Sequence, residues 1–180
     1  PIFVKPANAG SSVGISKAHN YMELLAALDV AFKNDYKAVL EETLVGREIE
    51  CAVLGGFAKV DATGVGEILA AADFYDYDAK YNNNDSRTVI PAEVEQEKVE
   101  EMRRLAKKIF RAVDGSGLAR VDFFVDRKTG KVLFNELNTM PGFTPISMYP
   151  MLWEAAGMSN REMMDRFIEL ALTRDTGIRG

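Results

Sequence analysis

At 180 residues, 47% apolar and 27% charged, the chain has the make-up of a soluble globular protein of one to one and a half domains. A formal net charge of -5 argues against nucleic acid as the main partner, though not against an anionic ligand held by a few local Lys and Arg. A single cysteine excludes a disulfide framework, and Cys51 in "EIECAVLG" reads as a buried thiol, which suits a reducing, cytoplasmic setting.

The chain opens on "PIFVKP", which has the character of mid-strand with no lead-in element, so a longer protein is expected around it. No signal peptide or transmembrane run is legible, and no membrane partner is expected. "IFVK" is a short apolar run ending at Pro and predicts a strand; "PANAGSSVGISK" predicts a loop returning into a second one. Asn20 is placed to cap a helix over "YMELLAALDVAFKN", whose apolar spacing fits a 3.6-residue period. "KAVLEETL", "GREIECAVLGG" and "GEILA" predict further strands. "DFYDYDAKYNNNDSRTVIPAEV" is polar, aromatic and without a period, and loops of that length are usually functional or mobile. Residues 95–113 predict an amphipathic helix with Val99, Met102, Leu105, Ala106, Ile109 and Val113 on one stripe, stopped by "DGSG". A hairpin over 118–138 follows, then the Pro/Gly loop "TMPGFTPIS". Helices near 148–157 and 160–173 finish the chain, the second capped by Ser159. The mixture of elements predicts an α+β layer fold, mostly antiparallel.

The hairpin "LARVDFFVDRKTGKVLFNELN" sets Arg120, Asp122, Glu136 and Asn138 among Val, Leu and Phe, where charge is costly unless something neutralises it. With a turn at 127–130, Asp122 falls opposite residue 135 or 136. Residues two apart share a face, so the register that pairs 122 with 136 puts all four on one side. Two carboxylates and an amide oxygen make an all-oxygen site, which suits Mg2+ completed by water and phosphate. With no His or Cys nearby, Zn2+ is disfavoured. Arg120 beside such a site would meet phosphate or carboxylate oxygens in fork geometry. The same four residues also read as an Arg–Asp–Glu ion-pair network on a solvated sheet face, and the hairpin alone does not choose.

"GSSVG", residues 10–14, offers consecutive backbone N–H groups and two hydroxyls to an anion, without being a Walker P-loop. Lys5 ends the preceding strand and can aim at the same anion, or serve only as an edge-strand lysine. "AVLEETLVGRE", residues 38–48, reads as a strand leading into a connector. Such a connector can present backbone groups to a purine edge, with Glu41 and Glu48 as polar contacts to a nucleoside. Both also read as surface carboxylates.

"FVKP…GSSVG", "EIECAVLG", "FYDYDAKY", "ARVDFF" and "NELNTMPGFT", in this order and spacing, closely resemble the D-alanine–D-alanine ligase family of ATP-grasp enzymes, across essentially the whole chain. The resemblance implies an ATP-grasp carboxy-terminal domain over 1–180, a mostly antiparallel sheet flanked by helices. Residues 1–40 would complete the edge of a preceding central subdomain, and the amino-terminal domain would be absent. It implies a cytoplasmic, ADP-forming ligase that joins two D-alanines through an acyl phosphate, for peptidoglycan and cell-wall synthesis. D-serine or D-lactate ligases of the same fold, and a non-catalytic nucleotide-binding module, are the alternatives. Position by position, the resemblance implies that Lys5 contacts ATP phosphate and Lys80 the transferred phosphate. Glu41 and the backbone near Leu44 face the adenine, and Glu48 holds the ribose. Asp122, Glu136 and Asn138 bind two Mg2+ ions, with Mn2+ as a substitute. Arg120 stabilises the acyl phosphate and the tetrahedral intermediate. Ser11 and Tyr81 position substrates, while Ser147 and the Met148 N–H meet the second amino acid's carboxylate. Residues 74–90 would close over the reaction. Position 42 is Glu where relatives often carry Lys, and 146 is Ile where many carry His. The isolated chain is expected to make no dipeptide, and the whole enzyme leaves a homodimer open.

Overall fold

The computed structural model describes residues 1–10, 12–69 and 87–174. They form two compact units: Pro1–Val45, and Gly46–Leu69 with Thr88 onward.

The first unit is a three-stranded antiparallel sheet, in the order β2–β1–β3, with one helix. β1 is Ile2–Pro6, β2 Ser16–Ala18, α1 Tyr21–Phe32 and β3 Ala38–Glu42. Asn20 caps α1 as its sequence predicts: its side-chain oxygen accepts from Glu23 N at 3.0 Å. α1 buries Ala27 and Ala31 against Val4 and Ala18, where small side chains let helix and sheet approach closely. The other face of β1 carries Phe3 and Lys5, and Lys17 Nζ lies 5.7 Å from the Phe3 ring centroid.

The second unit is a five-stranded sheet in the order β6–β5–β4–β7–β8. β4 is Gly46–Gly55, β5 Val60–Leu69, β6 Arg87–Val89, β7 Gly117–Asp126 and β8 Val132–Asn138. Three helices accompany it: α2, Gln96–Ala112; α3, Met148–Ala155; and α4, Asn160–Thr173. The β4–β5, β4–β7 and β7–β8 pairings are all antiparallel, as expected for this α+β class. β5 begins six residues earlier than "GEILA" suggests, because Gly64, Gly66 and the polar Asp61 and Thr63 mask its alternation. β6 emerges from the polar stretch read as loop; residues 70–86 of that stretch lie outside the described residues.

The two sheet faces are covered differently. Ile49, Cys51, Val53, Val65, Ala119, Val121 and Phe123 pack under α2 with Met102, Ala106 and Phe110. The helical stripe is as predicted except at its end. Phe110 is buried in place of Val113, which is 56% exposed beyond the last turn, where Asp114 takes a positive φ of 52° and Gly115 N bonds back to Phe110 O at 2.9 Å. Cys51 is fully buried, and that burial pushes its thiol up to about 12. On the opposite face Ala52, Leu54 and Leu118 meet Met148, Tyr149, Leu152 and Trp153 of α3 and Met163 of α4. Gly66 lets α3 settle there: a Cβ at that position would lie 2.6 Å from Met148 Sδ. Ser159 caps α4 with a full capping box to Glu162.

Two side-chain ties, neither legible in the sequence, brace this unit. Arg47 on β4 forks onto Glu67 of β5 at 2.7 and 2.5 Å and donates to Glu93 O at 2.7 Å, while the Glu67 carboxylate holds the guanidinium pKa above its ordinary value. Lys98 of α2 donates to Gly130 O, at the tip of the β7–β8 hairpin, at 2.8 Å.

Candidate functional site

The polar end of the second face continues from the apolar cluster that α3 and α4 cover. The ladder sets Glu50 of β4 opposite Asp122 of β7, and Ala52 opposite Arg120. Across the hairpin, Asp122 faces Glu136 and Arg120 faces Asn138. The predicted one-sided quartet is therefore present, through a device the sequence does not advertise. Nearer the turn the pairs are Phe123–Phe134, Phe124–Leu133 and Val125–Val132. Continued regularly, that register would set Asp122 against Asn135 and turn Glu136 and Asn138 toward α2. A bulge between Asp122 and Phe123 absorbs Asn135, so Glu136 and Asn138 stay with the carboxylate.

Arg120 donates from Nε to Asp122 Oδ1 and from Nη2 to Oδ2, both at 2.8 Å, a bidentate fork. The same Nε lies 3.1 Å from Glu50 Oε2. Asn138 Nδ2 donates to Asp122 Oδ2 at 3.0 Å and to Glu136 Oε1 at 3.2 Å. Asp122 is only 8% exposed, whereas Glu136 faces solvent. Burial opposes the Arg120 charge, but the bonded Asp122, with Glu50 and Glu136 beyond it, outweighs that and holds the guanidinium above its ordinary pKa.

One guanidinium stands against three carboxylates, an excess of negative charge that a divalent cation would neutralise. The donor set suits a hard cation: two carboxylates and an amide oxygen, too few ligands by themselves and so to be completed by water and phosphate. Asn138 now turns its nitrogen toward both carboxylates, and a flip of the amide would present its oxygen instead. Among the described residues, no group of three His, Cys, Asp or Glu gathers into a cage able to hold a metal ion. A cation here would thus rest on Asp122, Glu136 and Asn138 with outside ligands. The ion-pair network is present, and it is made of the residues a cation would take.

Glu48 shares this face, one alternation step from Glu50 and opposite Phe124. In the first unit, Lys5 and Glu41 form an ion pair at 2.7 Å. Leu44 lies in the connector 43–45, half-buried. In the loop after β1, Val13 N bonds to Gly10 O at 3.1 Å, and Ser12 and Gly14 both have positive φ. Ser11, Lys80 and Tyr81 lie outside the described residues.

Ser147 occupies the N-cap position of α3, but its Oγ is turned to the preceding loop, accepting from Thr144 N at 3.0 Å with Thr144 Oγ1 2.9 Å away. Met148 buries its side chain beside Gly66, leaving its backbone N–H at the start of α3. Glu50 is the site residue that sequence reasoning missed. Its signal was the "E-I-E" alternation, which places it beside Glu48.

A family model described as the D-ala D-ala ligase C-terminus matches residues 1–169. The D-alanine–D-alanine ligase of Acetivibrio thermocellus is 58% identical over 174 residues, covering 97% of this chain and 46% of the relative. That of Halothermothrix orenii is 52% identical over 172 residues, covering 96% and 50%. The chain thus spans about half the length of the curated relatives it matches. Among solved structures, a D-alanine-D-alanine ligase from Coxiella burnetii superposes with a TM-score of 0.83 at 38% identity, covering 95% of this chain and 44% of that one. The VanG D-Ala:D-Ser ligase of Enterococcus faecalis gives 0.84 at 40%, covering 94% and 49%.

Proposed function

The chain belongs to the D-alanine–D-alanine ligase carboxy-terminal family, and on that premise we propose that the whole protein joins two D-alanines at the expense of ATP, for peptidoglycan precursor synthesis. The observation that carries the reading is the one-faced cluster of Arg120, Asp122, Glu136 and Asn138, with Glu48 on the same face. The names of the curated relatives support D-alanine as the second substrate.

In this proposal the carboxylate of the first D-alanine attacks the γ-phosphorus of ATP, ADP leaves, and an acyl phosphate forms. The amine of the second D-alanine attacks the acyl carbon, loses a proton and expels phosphate. Asp122, Glu136 and Asn138 would hold Mg2+, or Mn2+ in its place. When bound, such ions supply charge neutralisation between the phosphate oxygens and the attacking carboxylate. Arg120 donates to the oxyanion that develops at the acyl carbon, a charge-assisted bond that strengthens as the charge grows. The Met148 N–H, at the start of a helix, and the Ser147 hydroxyl bind the carboxylate of the second amino acid. That needs Ser147 Oγ to turn away from Thr144. Glu48 accepts from the ribose hydroxyls; Glu41 and the backbone at Leu44 meet the adenine; Lys5, released from Glu41, meets phosphate. Ser11, Lys80 and Tyr81 complete the proposal as substrate and phosphate contacts, with residues 74–90 excluding water from the acyl phosphate.

The proposal extends to residues 1–40 as the edge of a central subdomain, to a separate amino-terminal domain, to a cytoplasmic location where ATP is supplied, and to a homodimer. Among the described residues no helix is long and apolar enough to cross a membrane.

The test is ADP release by the full-length protein with Mg2+ and D-alanine. Arg120→Ala should cut turnover about 100- to 1,000-fold. Parallel arms with D-serine and D-lactate as second substrate distinguish the related ligases. ATP binding without amino-acid-dependent ADP release would point instead to a nucleotide-binding module.

A further inference from the structure

Arg120 is engaged by an anion that the proposed reaction asks to do something else. Both Asp122 oxygens now accept from the guanidinium fork, and one of them also accepts from Asn138. A fork needs two carboxylate oxygens side by side in its plane. A divalent cation on Asp122 would draw on the same oxygen charge and lone pairs that hold the guanidinium, so it competes with the fork and loosens it. A long side chain released from a bidentate partner regains rotamer freedom, and an oxyanion donor has to be held in place before the charge develops.

A replacement partner is already in contact. Glu50 Oε2 lies 3.1 Å from Arg120 Nε, while the N–H of that nitrogen is donated to Asp122. The side chains are 12% and 21% exposed, so solvent screens their attraction only in part. Glu50 reaches the guanidinium from β4, the strand on the far side of β7 from β8, where Glu136 and Asn138 lie. Opposite Arg120 on β4 there is only the methyl of Ala52.

We propose that Glu50 is a positioning residue, the second anchor of Arg120. It takes over the Nε–H as Asp122 turns to the cation, and so keeps the guanidinium aimed at the reacting acyl group. The exchange moves a hydrogen bond between two carboxylates and breaks no covalent bond. The proposal rests on the ligase reading above and adds to it a residue that touches neither substrate nor cation.

Two measurements on the full-length protein test it. In the first, kcat and KM are compared for Glu50→Gln, Glu50→Asp, Arg120→Ala and the Glu50→Gln/Arg120→Ala pair. Glu50→Gln should lower kcat about 10- to 100-fold, as expected for a misplaced group, with KM for ATP within about twofold of the parent. Glu50→Asp should recover part of the loss, and the double variant should be no slower than Arg120→Ala alone. The second is a crystal structure with Mn2+ and a non-hydrolysable ATP analogue. Arg120 Nε should bond to Glu50, with an Asp122 oxygen on Mn2+. A fork still closed on Asp122 with Mn2+ bound would overturn the proposal. So would a Glu50→Gln kcat within twofold of the parent, or losses that multiply in the double variant. An absence of D-alanine-dependent ADP release by the parent sinks the ligase reading instead, and the Mn2+ structure then decides the anchor by itself.

Discussion

On one side of β7, Val121, Phe123 and Val125 lie buried in the core under α2. On the other, one step out of phase along the same strand, Arg120 and Asp122 meet Glu50, Glu136 and Asn138. The same backbone hydrogen bonds fix both sets, so precision won by packing on the first face is passed to the polar end of the second, beside the apolar cluster that Leu118, Ala52 and Leu54 join there. A polar site on a sheet can therefore be rigid while contributing little stability, because its support comes from behind.

Five changes would break or sharpen that contrast. The largest effect is expected from deleting Leu137. The deletion carries Asn138 to the α2 face and pulls Thr139 opposite Arg120, and urea unfolding should show the folded baseline lost. Deleting Asn135, which already stands outside the ladder, should by contrast leave every pairing in step and the protein folded. Next, Phe110→Ala empties the α2 side and should cost about 3–5 kcal/mol in chemical denaturation, leaving any residual folded protein with its Arg120–Asp122 fork in place. Gly66→Ala places a methyl against the Met148 sulfur and should cost about 1–3 kcal/mol by thermal melting. Because it shifts the start of α3, the proposed reaction predicts that in the full-length protein it also raises KM for the second amino acid more than KM for ATP. Smallest in stability is Glu136→Gln, exposed and at the sheet edge, expected to stay within about 0.5 kcal/mol of the parent. In the full-length protein, if the proposed ligase reaction holds, its amino-acid-dependent ADP release should nonetheless fall about tenfold or more. Equal stability losses for Phe110→Ala and Glu136→Gln would erase the distinction between the faces.

Much of the packing was readable in advance, because periodicity is a property of local sequence. The α2 stripe, the Asn20 and Ser159 caps and the strands 38–42 and 46–55 follow from spacing and end signals alone. β5 was half hidden, since Gly64 and Gly66 reveal their purpose only once Met148 of a later helix is seen to lie against one of them. The site was readable to a different depth. Asp122, Glu136 and Asn138 stand out as polar residues in apolar strands, yet their common face depended on a bulge at Asn135, and one extra residue in a strand carries no signature of its own. Glu50 escaped because "EIECAVLG" offers a carboxylate at each of two alternating positions, and only the pairing with β7 tells which meets Arg120. Arg47 and Glu67 stand twenty residues apart in sequence, a separation at which charge pairing cannot be read without the fold.

The bond from Lys98 to Gly130 has a mechanical meaning. β7 is paired with β4 along its whole length, so the hairpin stays within the sheet. Among the described residues β8 is the edge, held along one margin only, and its splaying from β7 would carry Glu136 and Asn138 with it. A support at the tip pins one end of that margin and shortens the stretch free to move. Lys98 stands in the first turn of α2, the helix seated on the back of the sheet. The spacing between the edge strand and its neighbour is thus set at the tip as well as at the root.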